Sequence, residues 1–169
     1  MSQIKVGLIT AAGVIVGYAM LNMSALVVDG GLSVDLPEIT ADSPRGIRNS
    51  NPGNIEYEED NKWRGQIGSD GRFSIFDSPV NGIRAMARLI NNYRDTYGIN
   101  TIYGVISRWA PGAENNTTAY IASVSRYTGI DPLADIGDKL DLLIAAIINH
   151  ENGQQPYSQN LIDTAIQAA

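Results

Sequence analysis

At 169 residues the chain has room for one domain and an appendage, not two full cores. It has no cysteine, which excludes a disulfide framework, a thiolate zinc site and a cysteine nucleophile. Its single histidine, His150, excludes a His-only metal site, and any Ser-His-Asp triad would have to run through that residue. The net charge of −6 and the absence of a Lys/Arg cluster argue against a nucleic-acid partner, and nothing points to a metal or a cofactor.

After a five-residue tail, Val6–Val28 contains no charged residue. At ~1.5 Å rise per residue a helix of that length crosses a hydrocarbon core of ~30 Å. The stretch is long for the apolar part of a secretory signal, and no clear cleavage site follows it. The reading is therefore a transmembrane helix. Gly13 and Gly17 form a GxxxG pair of the kind that mediates self-association of membrane helices. Lys5 precedes the segment and acidic residues follow it, so the positive-inside rule places the C-terminal domain on the non-cytoplasmic side. Residues 29–44, rich in Gly, Pro and acidic side chains, read as a tether to a domain over 45–169.

That domain opens with an irregular lobe over 45–78, in which Gly68-Ser69-Asp70-Gly71-Arg72 has the composition of a hairpin turn. Helical patterns then take over. One runs from Pro79, capped by Ser78, to Tyr97, with Gly98 as its stop. Others span Thr101–Trp109, Asn116–Thr128, Asp138–Asn152 and Ser158–Gln167. The expected fold is mainly α.

One carboxylate stands out. In the helix ending LDLLIAAIINHE, Leu140, Leu143, Ile144, Ile147 and Ile148 form one apolar stripe. Glu151 falls only about 20° from Leu140 around the helix, on the centre line of the buried face. Partial burial and the negative end of the helix both favour the neutral carboxylic acid, the form a general acid requires. Alternatively the helix frays there and Glu151 turns out to water.

Glu151-Asn152-Gly153, closing an apolar helix, resembles the way lysozyme-like transglycosylases and muramidases place their acid. The run RNSNPGNI at 48–55, the Trp63-x-Gly65 element and FSIFDSPVNGIRAMARLI at 73–90 resemble the portion that follows the catalytic helix in bacterial glucosaminidases. Here the Glu helix comes last, which implies a circularly permuted lysozyme-like domain. Together with INTIYGVISRWAPGAENNTTAYIASVS at 99–125, these elements are similar to phage proteins labelled virion structural protein or virion-associated lytic transglycosylase. The membrane segment, which is not general to that family, points to a lipid-containing phage of the corticovirus type.

The resemblance implies peptidoglycan glycan strands as substrate and Glu151 as catalytic acid. It also implies a virion location, anchored in the virion or host inner membrane and acting in the host periplasm. Asn51 and Asn54 are candidates to bond acetamido groups, against a purely local role around Pro52-Gly53. Trp63 is a candidate for stacking on sugar, and Tyr157 for lining the cleft, against packing roles for both. Trp109 reads as core. Glu56, Glu58, Glu59 and Asp60 read as a solvated charge run. A hydrolase needs a second carboxylate, for which Asp77 is the candidate, whereas a lytic transglycosylase needs Glu151 alone. The rival reading is a non-catalytic virion membrane protein whose lysozyme-like domain binds glycan.

Overall fold

The protein was analysed as a computed structural model that describes residues 25–27, 33–112 and 116–169. Strand β1 (Ala25–Val27) pairs antiparallel with β2 (Ser33–Asp35), Leu26 lying opposite Val34. A single helical turn, α1 (Arg45–Arg48), follows Pro44. Strands β3 (Gln66–Ser69) and β4 (Ser74–Phe76) form a second antiparallel pair, irregular between Gln66 and Gly68. Their connection is closed by Asp70, whose Oδ1 accepts the backbone N–H of Arg72 at 3.1 Å and of Phe73 at 2.9 Å. An aspartate that bonds its own backbone two and three residues on is what makes this segment turn.

Five helices follow: α2 (Pro79–Tyr97), α3 (Ile102–Trp109), α4 (Thr117–Thr128), α5 (Leu140–Asn152) and α6 (Gln159–Gln167). Four have side-chain caps. Ser78, Thr101, Asn116 and Ser158 each accept a backbone N–H from the first turn, that of Asn81, Gly104, Ala119 and Leu161 respectively. Gly98, Gly129 and Gly153 end α2, α4 and α5 in the left-handed conformation.

Helix α5 runs through the middle. Leu143 to Ile148 are all buried, so the apolar stripe expected there is closer to a full circumference. It packs against α1, α2, α4 and α6. Ile83, Met86 and Ile90 of α2 join this core, as do Ile102 and Ile106 of α3, Val124 of α4 and Leu161 of α6. Truncating any one of them to alanine should cost about 2–5 kcal/mol. The Asn-rich turn sits directly on α2. A Cβ on Gly82 would lie 1.9 Å from the carbonyl oxygen of Ser50, so only glycine allows that approach.

The mainly α domain is as expected, but the membrane helix is corrected. Among the described residues no helix is long and apolar enough to cross a membrane. At the end of the expected span Ala25–Val27 is a strand hydrogen-bonded to residues 33–35, so the expected helix does not include those residues. An uninterrupted apolar run satisfies a strand as well as a helix, and pairing with a second segment decides between them. Residues 6–24, which include Gly13 and Gly17, lie outside the described residues. The membrane partner, the anchored location in virion or periplasm, and self-association through Gly13 and Gly17 all rested on that helix, and no helix among the described residues supports them. Within the expected tether, Leu36 packs against the core, and the Arg48 guanidinium donates to the Ser43 carbonyl at 2.5 Å.

Candidate functional site

Glu151 lies in the last turn of α5, half-buried, and both of its oxygens are held. Oε1 accepts the hydroxyl of Tyr120 at 2.7 Å, and Oε2 accepts Nδ2 of Asn54 at 3.0 Å. The donors come from two other parts of the chain, α4 and the turn before β3, and neither carries a charge. The frayed alternative is thereby excluded: the carboxylate points into the protein, not out to water. A carboxylate offers roughly four acceptor positions, so two remain for a proton and an incoming ligand.

The turn that supplies Asn54 is built by Asn51, which is fully buried. Its Nδ2 donates to the carbonyls of Ile55 at 2.9 Å and Ser74 at 2.8 Å, and its Oδ1 accepts the N–H of Ile55 at 2.9 Å. All three of these side-chain bonds go to backbone. Asn54 has φ 49°, a left-handed conformation that asparagine tolerates better than most residues. Asn152 ties the same turn to α5, donating to the Pro52 carbonyl at 2.7 Å and to the Ile148 carbonyl at 2.9 Å. Gly46 of α1 closes the back. A Cβ there would lie 2.6 Å from Oδ1 of Asn152 and 2.9 Å from Oδ1 of Asn54. Both of those oxygens are buried without a partner, so the cradle around Gly46 has no spare room.

Tyr120 is buried, and its hydroxyl is pushed well above its usual pKa, by burial first and then by the charge of Glu151 beside it. It therefore stays a hydrogen-bond donor at any physiological pH. Its ring stacks on the imidazole of His150, with centroids 3.6 Å apart and planes at 18°.

The other candidates sit elsewhere. Tyr157 is buried, its hydroxyl has no partner, and burial raises its pKa. Trp63 is half-buried against the core at the start of the hairpin, where its backbone N–H donates to Oε1 of Gln66 at 3.2 Å. Asp77 accepts from the Ser78 hydroxyl at 3.0 Å and from Nδ2 of Asn81 at 2.7 Å, both on Oδ1, at the start of α2. Trp109 is half-buried against the core, and a Cβ on Gly53 would come within 2.8 Å of it. Among the described residues no group of His, Cys, Asp or Glu could hold a metal ion. An open groove of about 650 Å³ along α4, lined by Thr118, Ile121, Ser125 and Pro132 among others, does not include Glu151, Tyr120 or Asn54.

The chain is 40% identical over 126 residues to Protein P5 of Pseudoalteromonas phage PM2, an alignment that covers 72% of this chain and 79% of that protein. It belongs to the Protein P5 family. The relationship is therefore to a phage protein, as the sequence motifs led one to expect, although the relative's name specifies no reaction. No family model matches the chain.

Two residues of this P5-family site were missed by sequence reasoning. Neither Tyr120 nor Gly46 stands out in the sequence as a site residue. A signal existed for the first. A buried tyrosine hydroxyl needs an acceptor, and a carboxylate on a buried stripe needs a donor.

Proposed function

We propose that this protein cleaves the glycan strands of peptidoglycan for a phage, by a lytic transglycosylase-type reaction with Glu151 as the single acid–base group. The observation that carries this reading is the fixing of both Glu151 oxygens by neutral donors, Tyr120 and Asn54, at the end of a buried helix. An acid–base group must be held in place before it can act, and these two donors from separate segments fix both oxygens of Glu151.

In the first step protonated Glu151 donates its proton to the glycosidic oxygen as the bond from C1 to that oxygen breaks. The leaving sugar departs with a free 4-hydroxyl. In the second step the C6 hydroxyl of the muramoyl residue attacks C1, and the Glu151 carboxylate takes its proton. The product is a 1,6-anhydro ring, and Glu151 is again protonated. No water is consumed, so no second carboxylate is required to activate one.

The test is digestion of purified sacculi by the full chain, with mass spectrometry of the released muropeptides. Ends lighter by one water than hydrolysed ends are expected. Hydrolysed ends would overturn the transglycosylase mechanism. Absence of any release from sacculi of several Gram-negative species would overturn catalysis altogether.

A further inference from the structure

The chain's one histidine follows an unusual pattern. His150 precedes Glu151 and lies flat on Tyr120, centroids 3.6 Å apart, yet it is exposed whereas Tyr120 is only 2% exposed. One face of the imidazole is covered by the phenol, while the residue as a whole remains exposed. Tyr120 also supplies the hydroxyl bonded to Glu151, so the same side chain fixes the acid with its edge and the imidazole with its face.

We propose that His150 is a substrate-contacting residue: its open ring, backed by Tyr120, is the platform on which a pyranose ring of an N-acetylated glycan packs beside Glu151. This rests on the reading of Glu151 as a glycan-cleaving acid. Sugar rings present C–H groups on one face and hydroxyls at the rim, so a flat ring with an apolar face and polar edges suits them. Aromatic side chains combine those two properties, and they commonly line ligand sites. Stacking on Tyr120 immobilises the imidazole before ligand arrives, which lowers the ordering cost of binding. Burial holds the His150 pKa below its usual value against the opposing charge of Glu151, so at neutral pH the ring is uncharged and sheds water readily. The titratable groups facing it are Tyr120 from α4 and Glu151 from its own helix.

The two members of the stack then have separable effects. In the full chain, His150→Ala and His150→Gln should each raise KM on sacculi about three- to tenfold, the size of a lost stacking contact. Neither should change kcat by more than about twofold. The same variants in a Glu151→Gln background should weaken binding of a β-1,4-linked N-acetylglucosamine tetrasaccharide, read by calorimetry, by the same factor. His150→Phe should restore both. Tyr120→Phe keeps the ring and removes the hydroxyl, so it should lower kcat and leave KM and tetrasaccharide affinity near wild type.

Unchanged KM and affinity in His150→Ala and His150→Gln, or failure of His150→Phe to rescue them, overturns the platform while leaving Glu151 catalysis standing. Binding that depends on His150 without any cleavage overturns the catalytic reading and retains the platform. Neither binding nor cleavage by the wild type overturns both.

Discussion

The hydroxyl of Tyr120 lies 2.7 Å from Oε1 of Glu151, across 31 residues of sequence, and joins α4 to the last turn of α5. With Asn54 on the other oxygen, 97 residues away in sequence, it makes Glu151 the point where three separate segments meet. Removal of any one of the three reads out on the others.

Glu151→Gln should fold as wild type. Its carbonyl oxygen still accepts from Tyr120, and the partnerless Oδ1 of Asn54 can turn to accept from the new amide. Release of muropeptides should fall by ~10²–10⁴-fold, the usual contribution of a positioned acid–base group. Glu58→Gln, at an exposed position, should leave release unchanged. A folded Glu151→Gln as active as wild type would sink the assignment.

Gly46→Ala tests the cradle. The added methyl meets Oδ1 of Asn152 at 2.6 Å and Oδ1 of Asn54 at 2.9 Å, so one or both amides must shift. We expect destabilisation of about 1–3 kcal/mol, as for other overpacked sites. Activity should fall as well, because Asn54 moves with respect to Glu151. Urea denaturation gives the first quantity and sacculus digestion the second. Wild-type stability and activity together would show that the cradle has room to relax.

Tyr157→Phe removes a buried hydroxyl that has no partner. Losing an unsatisfied polar group should leave the protein as stable as before or more so, by up to about 1–2 kcal/mol. Activity should be unchanged, since the ring remains in the core. A large loss of activity with unaltered stability would return Tyr157 to the cleft.

The hairpin turn supplies a pH dependence. Asp70 accepts from the Arg45 guanidinium at 2.5 and 2.6 Å, which links the β3–β4 turn to α1. That pairing holds the Asp70 carboxyl well below the usual range, with the backbone N–H groups of Phe73 and Arg72 and the side chain of Asn49 assisting. A depressed folded-state value means the stabilisation is present above the unfolded value of about 3.9 and is lost as pH falls through the folded one. Asp70→Asn should therefore lower the urea midpoint at pH 7, and the gap to wild type should narrow progressively below pH ~4. A gap independent of pH would mean that charge is not what Asp70 contributes.

The sequence alone determined the helices of the domain and the placement of Glu151 at the end of one of them. Caps at Ser78, Thr101, Asn116 and Ser158, and glycine stops at 98, 129 and 153, are local chemistry, legible from neighbouring residues. Glu151 was legible because helical periodicity puts it on a buried face within one element. What surrounds Glu151 was decided only by tertiary structure. Tyr120 and Asn54 reach it from 31 and 97 residues away along the chain, and no local pattern encodes which buried hydroxyl meets which carboxylate. The end of the apolar N-terminal run, at Ala25–Val27, departs from the expected helix for the same reason. Its strand at Ala25–Val27 exists by hydrogen bonding to residues 33–35, an interaction between segments that hydrophobicity within one segment does not specify.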